Sequence, residues 1–103
     1  MARIISETVT GSTASASITA AYPEYVYTAQ GTFNSQNANL EFSLDAGSTW
    51  TACGTDTSLS ANGGGVAVVP HGALLRVKPS GVTSVVVKVT PTNYGTEGGG
   101  TPA

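Results

Sequence analysis

Apolar and polar residues alternate with a two-residue period along much of this chain, and no stretch carries a sustained helical stripe. Ile4 to Val9 reads as a short first strand. The run SASITAAYPEYVYTAQGTF holds one or two more, broken at Pro23, with Tyr25, Tyr27 and Ala29 on one face and Val26, Thr28 and Gln30 on the other. NSQNA is a polar turn. Leu40, Phe42 and Leu44 then alternate with Asn39, Glu41 and Ser43, which predicts a half-buried strand with its apolar side formed by the first three. Asp45-Ala46-Gly47 reads as a turn, and Thr49 to Ala52 lead into a second strand. GTDTSLSANGGG is expected to be a loop with a short strand around Leu59, and NGGGV, Asn62 to Val66, a hairpin or bulged turn. VAVVP is a compact apolar strand closed by Pro70. In GALLRVKPSG, Ala73, Leu75 and Val77 face one way, and Leu74, Arg76 and Lys78 the other. In VTSVVVKVTP, Val85, Val87 and Val89 face inward, and Ser84, Val86 and Lys88 outward.

Seven or eight short strands separated by turn signals predict an all-β protein, a small antiparallel β-sandwich or jelly-roll-like barrel. At 103 residues the chain has room for one modest core. The expected organisation is a single β domain over 1–91 and a Gly-rich tail over 92–103, which lacks apolar anchors and is expected to be mobile or ordered only by a partner.

Composition narrows the function classes. Only 10% of the residues are charged, against roughly 25% in ordinary soluble domains. Ser and Thr supply about a quarter of the chain. The net charge is −2, and Arg3, Arg76, Lys78 and Lys88 are too few for the dense positive surface that duplex phosphates require, so neither nucleic acid nor an anionic membrane is an expected partner. No segment has the length and hydrophobicity of a membrane-spanning helix. The opening MARIISETVTGSTASA lacks an apolar core followed by a cleavage site and makes a poor secretion signal. Cys53 stands alone, which excludes an internal disulfide and suits synthesis in a reducing cytosol.

Catalytic chemistry finds little footing. His71, the one histidine, follows Pro70 at a strand entrance and reads as a turn residue; with no second histidine and no second cysteine, a zinc set is not available. The acidic residues Glu7, Glu24, Glu41, Asp45, Asp56 and Glu97 are scattered, so a flanking carboxylate pair for glycoside hydrolysis is not evident. NGGGV lacks the strand–loop–helix setting and the lysine of a phosphate-cradling loop. No cofactor is implied.

One motif stands out. SLDAGSTW, Ser43 to Trp50, fits S-x-D-x-G-x-T-W and resembles the Asp box of sialidases and related β-propellers. The chain is too short for several blades, and the motif occurs once. Turn chemistry accounts for each of its residues: Ser43 and Asp45 brace the turn, Gly47 supplies a positive φ, Thr49 follows, and Trp50 packs against the hairpin's apolar side. A broader likeness covers Leu40 to Val89. FSLDAGSTW, LSANGGGVAVV, GALLRVKPSG and VTSVVVKV resemble, in the same order, segments of a type of small bacteriophage virion protein, with Ala46 where Gly is more usual. The resemblance implies a capsid decoration or cement protein that binds the outer surface of a phage head, with the major capsid protein as partner, many copies or a homo-oligomer on a symmetric shell, and synthesis in the bacterial host cytoplasm. It supplies no catalytic residue. The alternative is a receptor- or carbohydrate-binding module of a tail or head fibre, with Tyr22, Tyr25, Tyr27 and Trp50 as a sugar-stacking platform. A third reading is a small hydrolase using Asp45 and Glu41. If the last two strong strands pair, Leu74 and Val86 lie together with Arg76, Lys78 and Lys88 on one outward face, a candidate partner-contact patch.

Overall fold

The computed structural model describes residues 4–92. They form nine strands: β1 Ile5–Gly11, β2 Ile18–Thr19, β3 Glu24–Thr32, β4 Ala38–Ser43, β5 Thr51–Ala52, β6 Ser58–Leu59, β7 Gly63–Val68, β8 Leu74–Pro79 and β9 Val82–Pro91. A 3₁₀ turn, Thr55–Thr57, is the only helical element among the described residues. The chain is an antiparallel β-sandwich. One sheet has the order β1-β9-β3-β7; the other has β2-β8-β4-β5, with β6 also on β4.

The pairing follows a single scheme. β1 pairs with β9, β2 with β8, β3 with β7, and β4 with β5, so the two halves of the chain form one long antiparallel ribbon. The ribbon is wound so that β9 also lies beside β3 and β8 beside β4. That is a jelly roll of two four-stranded sheets. β5 and β6 take successive stretches of the same β4 edge, at Glu41–Phe42 and Ala38–Asn39, so they act as one interrupted edge strand.

The core lies between the sheets where the alternation places it. Tyr25, Tyr27 and Ala29 of β3, Leu75 and Val77 of β8, and Val85, Val87 and Val89 of β9 are all buried. At roughly 25 cal/mol per Å² of apolar area removed from water, such residues dominate the stability of a domain this size. Tyr27 also ties the sheets together: from β3 its hydroxyl donates to the Ala38 carbonyl of β4 at 2.8 Å. Burial raises this phenol above its ordinary range, so it remains a neutral donor. At the β8 edge, beyond β2, Ser15 extends the ladder. Its N–H donates to the Val77 carbonyl at 2.8 Å, and its hydroxyl accepts the Val77 N–H at 2.9 Å.

Two expectations are corrected here. The apolar side of β4 ends before Leu44: Leu40 is buried and Phe42 half-buried, but Ser43 is buried in turn and Leu44 is 69% exposed. The pleat is lost at Ser43, where the chain leaves the sheet to begin the turn. The glycines of NGGGV form no hairpin or bulged turn; Gly63 to Gly65 are the first half of β7. A Cβ on Gly65 would collide with the Asp56 carbonyl oxygen, so the 3₁₀ turn packs directly on strand backbone that only glycine leaves open. β9 ends at Pro91, and the N–H of Thr92, where the expected tail opens, bonds to the Glu24 carbonyl at 3.0 Å. The rest of the expected tail lies outside the described residues.

Candidate functional site

The Asp-box loop joins β4 to β5. Ser43, at the end of β4, is buried, and its hydroxyl is the hub of the turn. It donates to Asp45 Oδ1 at 2.8 Å and accepts the N–H groups of Gly47 at 2.8 Å and Asp45 at 3.4 Å. Asp45 Oδ1 also accepts the Thr49 N–H at 2.8 Å. Between them Ala46 and Gly47 both have left-handed backbone, at φ 62° and 98°. Short polar side chains thus replace the ladder bonds that the backbone gives up on leaving the sheet. The Asp45 carboxyl is exposed, yet the Thr49 N–H first, and then the Ser43 hydroxyl, hold its pKa below the usual carboxylate value. An exposed carboxylate kept ionised in this way is a turn brace. A general acid needs the opposite shift.

Trp50 closes the loop on the outer face of its sheet, beside Arg76, and not on the hairpin's apolar side where sequence placed it. A Cβ on Gly47 would meet Trp50 Cζ2 at 3.7 Å and Leu74 Cδ1 at 3.8 Å, so Gly47 separates the indole from Leu74 without a side chain of its own. Arg76 lies over the indole, its Cζ 4.1 Å from the ring centroid. The same guanidinium donates to Glu41 Oε1 through Nη2 and Nε, both at 2.9 Å. Glu41 and Arg76 are direct cross-strand partners in the β4–β8 register. The indole, guanidinium and carboxylate form one layered cluster, and Glu41 is committed to it.

The other candidates sit apart. Tyr25 and Tyr27 are 1% and 0% exposed, which removes two of the four rings from the proposed sugar-stacking platform. Trp50 has Arg76 on its ring, and Tyr22 is half-buried against the core. His71 is exposed in the turn before β8. Cys53 packs against the core; burial first, then the Glu41 charge, push its thiol up to about 11 and leave it a poor nucleophile. Surface concavities of about 410, 610 and 240 Å³ open among the described residues, and none of these brings two titratable side chains together. Among the described residues no group of three or more His, Cys, Asp and Glu side chains could hold a metal ion. Nor is any helix long and apolar enough to cross a membrane.

The expected partner-contact patch is not one surface. β8 and β9 do not pair: β8 lies between β2 and β4, and β9 between β1 and β3. Leu74, Arg76 and Lys78 therefore face outward from one sheet, and Val86 and Lys88 from the other. The first group is half-buried, with Leu74 and Arg76 engaged by the Asp-box loop. The second belongs to a broader open face. There Val86 is 54% exposed, with Thr8 and Gln30 as its cross-strand neighbours, while Lys88 lies between Ser6 and Thr28. Toward β7 the face continues through Val26 to Val66, which sequence reasoning assigned no role. No family model and no curated protein matches the chain.

Proposed function

We propose that the chain is a structural virion protein, a decoration or cement protein that binds the outer surface of a phage head through the major capsid protein and stabilises the shell. The observation that carries this reading is the outer face of the β1-β9-β3-β7 sheet. Thr, Ser and Val dominate it, with Glu24 and Lys88 as its charged members. Short and β-branched side chains lose little rotamer freedom on docking, so such a face binds by area and shape. Repetition of weak contacts around a symmetric shell then raises the total through avidity. Two further features agree with it. The carboxylates of the Asp box and of Glu41 are committed to hydrogen bonds within the hairpin and the β4–β8 ladder. The likeness to small phage virion proteins runs from β4 through most of β9. Jelly rolls build viral capsid domains, but also lectins and cupins, so the fold by itself is an analogy.

The test is reconstitution. Purified protein added to heads assembled without it is expected to co-sediment and to raise the temperature at which the heads rupture. Val86→Glu, which charges the middle of the open face, is expected to weaken co-sedimentation while leaving the melting temperature of the free protein unchanged. Absence of co-sedimentation by wild-type protein, together with binding to host glycans, would replace this reading with the fibre-module one.

A further inference from the structure

We infer that the free edge of β7 is a self-association site, where two copies of the chain pair strand to strand across a twofold axis at Val66. This goes beyond the proposed virion role and does not depend on it.

The first step is an account of the ladder. Residues of an antiparallel pair alternate between those bonded to the partner strand and those whose N–H and C=O groups point away from it. The Val69 N–H donates to the Pro23 carbonyl at 2.9 Å, and the β3–β7 register continues as Ala67 with Tyr25, Gly65 with Tyr27 and Gly63 with Ala29. These odd-numbered residues of β7 face β3. On the far side of β3, the Glu24 carbonyl accepts the Thr92 N–H of the β9 side, as the same alternation requires. The backbone groups of Gly64, Val66 and Val68 therefore point outward from the sheet, and all three residues are exposed.

Sheet edges in natural proteins are usually blunted by charge, proline, a bulge or extreme shortness. β1, the opposite edge of this sheet, carries Glu7 and an irregularity between Val9 and Gly11. β2 and β5, at the edges of the other sheet, have two residues each. β7 has six residues in unbroken register, with no charge and no proline. Among the described strand edges it alone has none of these devices.

Its occupant is a second copy, because the strand is complementary to itself. A twofold at Val66 sets Val66 opposite Val66 of the other copy and Gly64 opposite Val68. All three outward-pointing positions then fall in bonded pairs, and every free N–H finds a carbonyl. The side chains agree. Val68, 78% exposed, is placed beside a glycine, and the two Val66 side chains, each 45% exposed, meet at the axis. An uncharged strand brings no like charges together. The product is a continuous eight-stranded sheet whose Thr, Ser and Val face doubles in extent.

Sedimentation equilibrium of the full chain, with amide hydrogen exchange, tests this directly. Val66→Pro removes an N–H that β3 does not use, so the fold is retained while the centre of the interface is lost. Val66→Lys supplies a second disruption that keeps the N–H. Wild-type protein is expected to be a concentration-dependent dimer with slow exchange at Gly64, Val66 and Val68. Each variant is expected to weaken association by at least about tenfold and to retain its cooperative melt. If the proline variant fails to fold, the lysine variant decides. A wild-type monomer at millimolar concentration would overturn the inference, as would a dimer that persists in the folded variants or one whose three edge amides exchange freely.

Discussion

Ser43 shows how much a single residue decides in this fold. Its hydroxyl both donates to Asp45 and accepts from Gly47, and it is buried, so removing it strands the Gly47 N–H and frees the carboxylate. Ser43→Ala is expected to cost about 1–3 kcal/mol, the usual penalty for an unsatisfied buried group. Ala46 gives the opposite sign. Its φ of 62° lies in the left-handed region, which costs a residue with a Cβ about 1–2 kcal/mol. Part of that is returned by glycine's greater freedom in the unfolded chain, so Ala46→Gly is expected to stabilise by about 0.5–1 kcal/mol. Urea titration of both variants reads the two signs. A neutral Ser43→Ala or a destabilising Ala46→Gly would contradict the turn geometry. The bracing roles of Ser43 and Asp45 were legible because turn chemistry is local, confined here to seven consecutive residues. The exposure of Leu44 was not, because alternation carries no marker for the residue at which a strand stops.

At the scale of elements, the strands that sequence described best were β3, β8 and β9, whose inward and outward faces fall as the alternation requires. The pleat fixes which face a residue takes, but it says nothing about which strand lies alongside. That is why β8 and β9, separated only by Ser80 and Gly81, could be imagined as partners when they belong to opposite sheets. The same limit split the contact patch. The glycines of β7 were misread for a related reason. A glycine run signals either a turn or a close approach, and the approaching group, the Asp56 carbonyl, lies in a separate turn. Gly65→Ala is expected to destabilise by about 1–3 kcal/mol, because a backbone carbonyl must move to admit the methyl. Gly63→Ala, whose Cβ would meet nothing nearer than 3.8 Å, is expected to be neutral or slightly stabilising. Equal melting temperatures for the two variants would show that the 3₁₀ turn does not pack on β7.

The described residues form a jelly roll in which several chemistry-bearing side chains serve the architecture. Asp45 braces a turn, Glu41 holds Arg76 over the Trp50 ring, and Tyr27 ties one sheet to the other. The all-β class was legible because composition, turn spacing and alternation agree. The open face was only half legible: Val86 and Lys88 were singled out, while Val66 and Val68 were not, since a glycine-led apolar strand looks the same whether its valines face the core or solvent. On the proposed virion role function resides in surface, and the measurement that tests it most directly is cryo-microscopy of purified particles of the phage to which that role would assign the chain. The prediction is density for this jelly roll in many symmetric copies outside the capsid shell, with the β1-β9-β3-β7 face toward the major capsid protein. A virion without the chain, or with it confined to the tip of a fibre, would contradict the account.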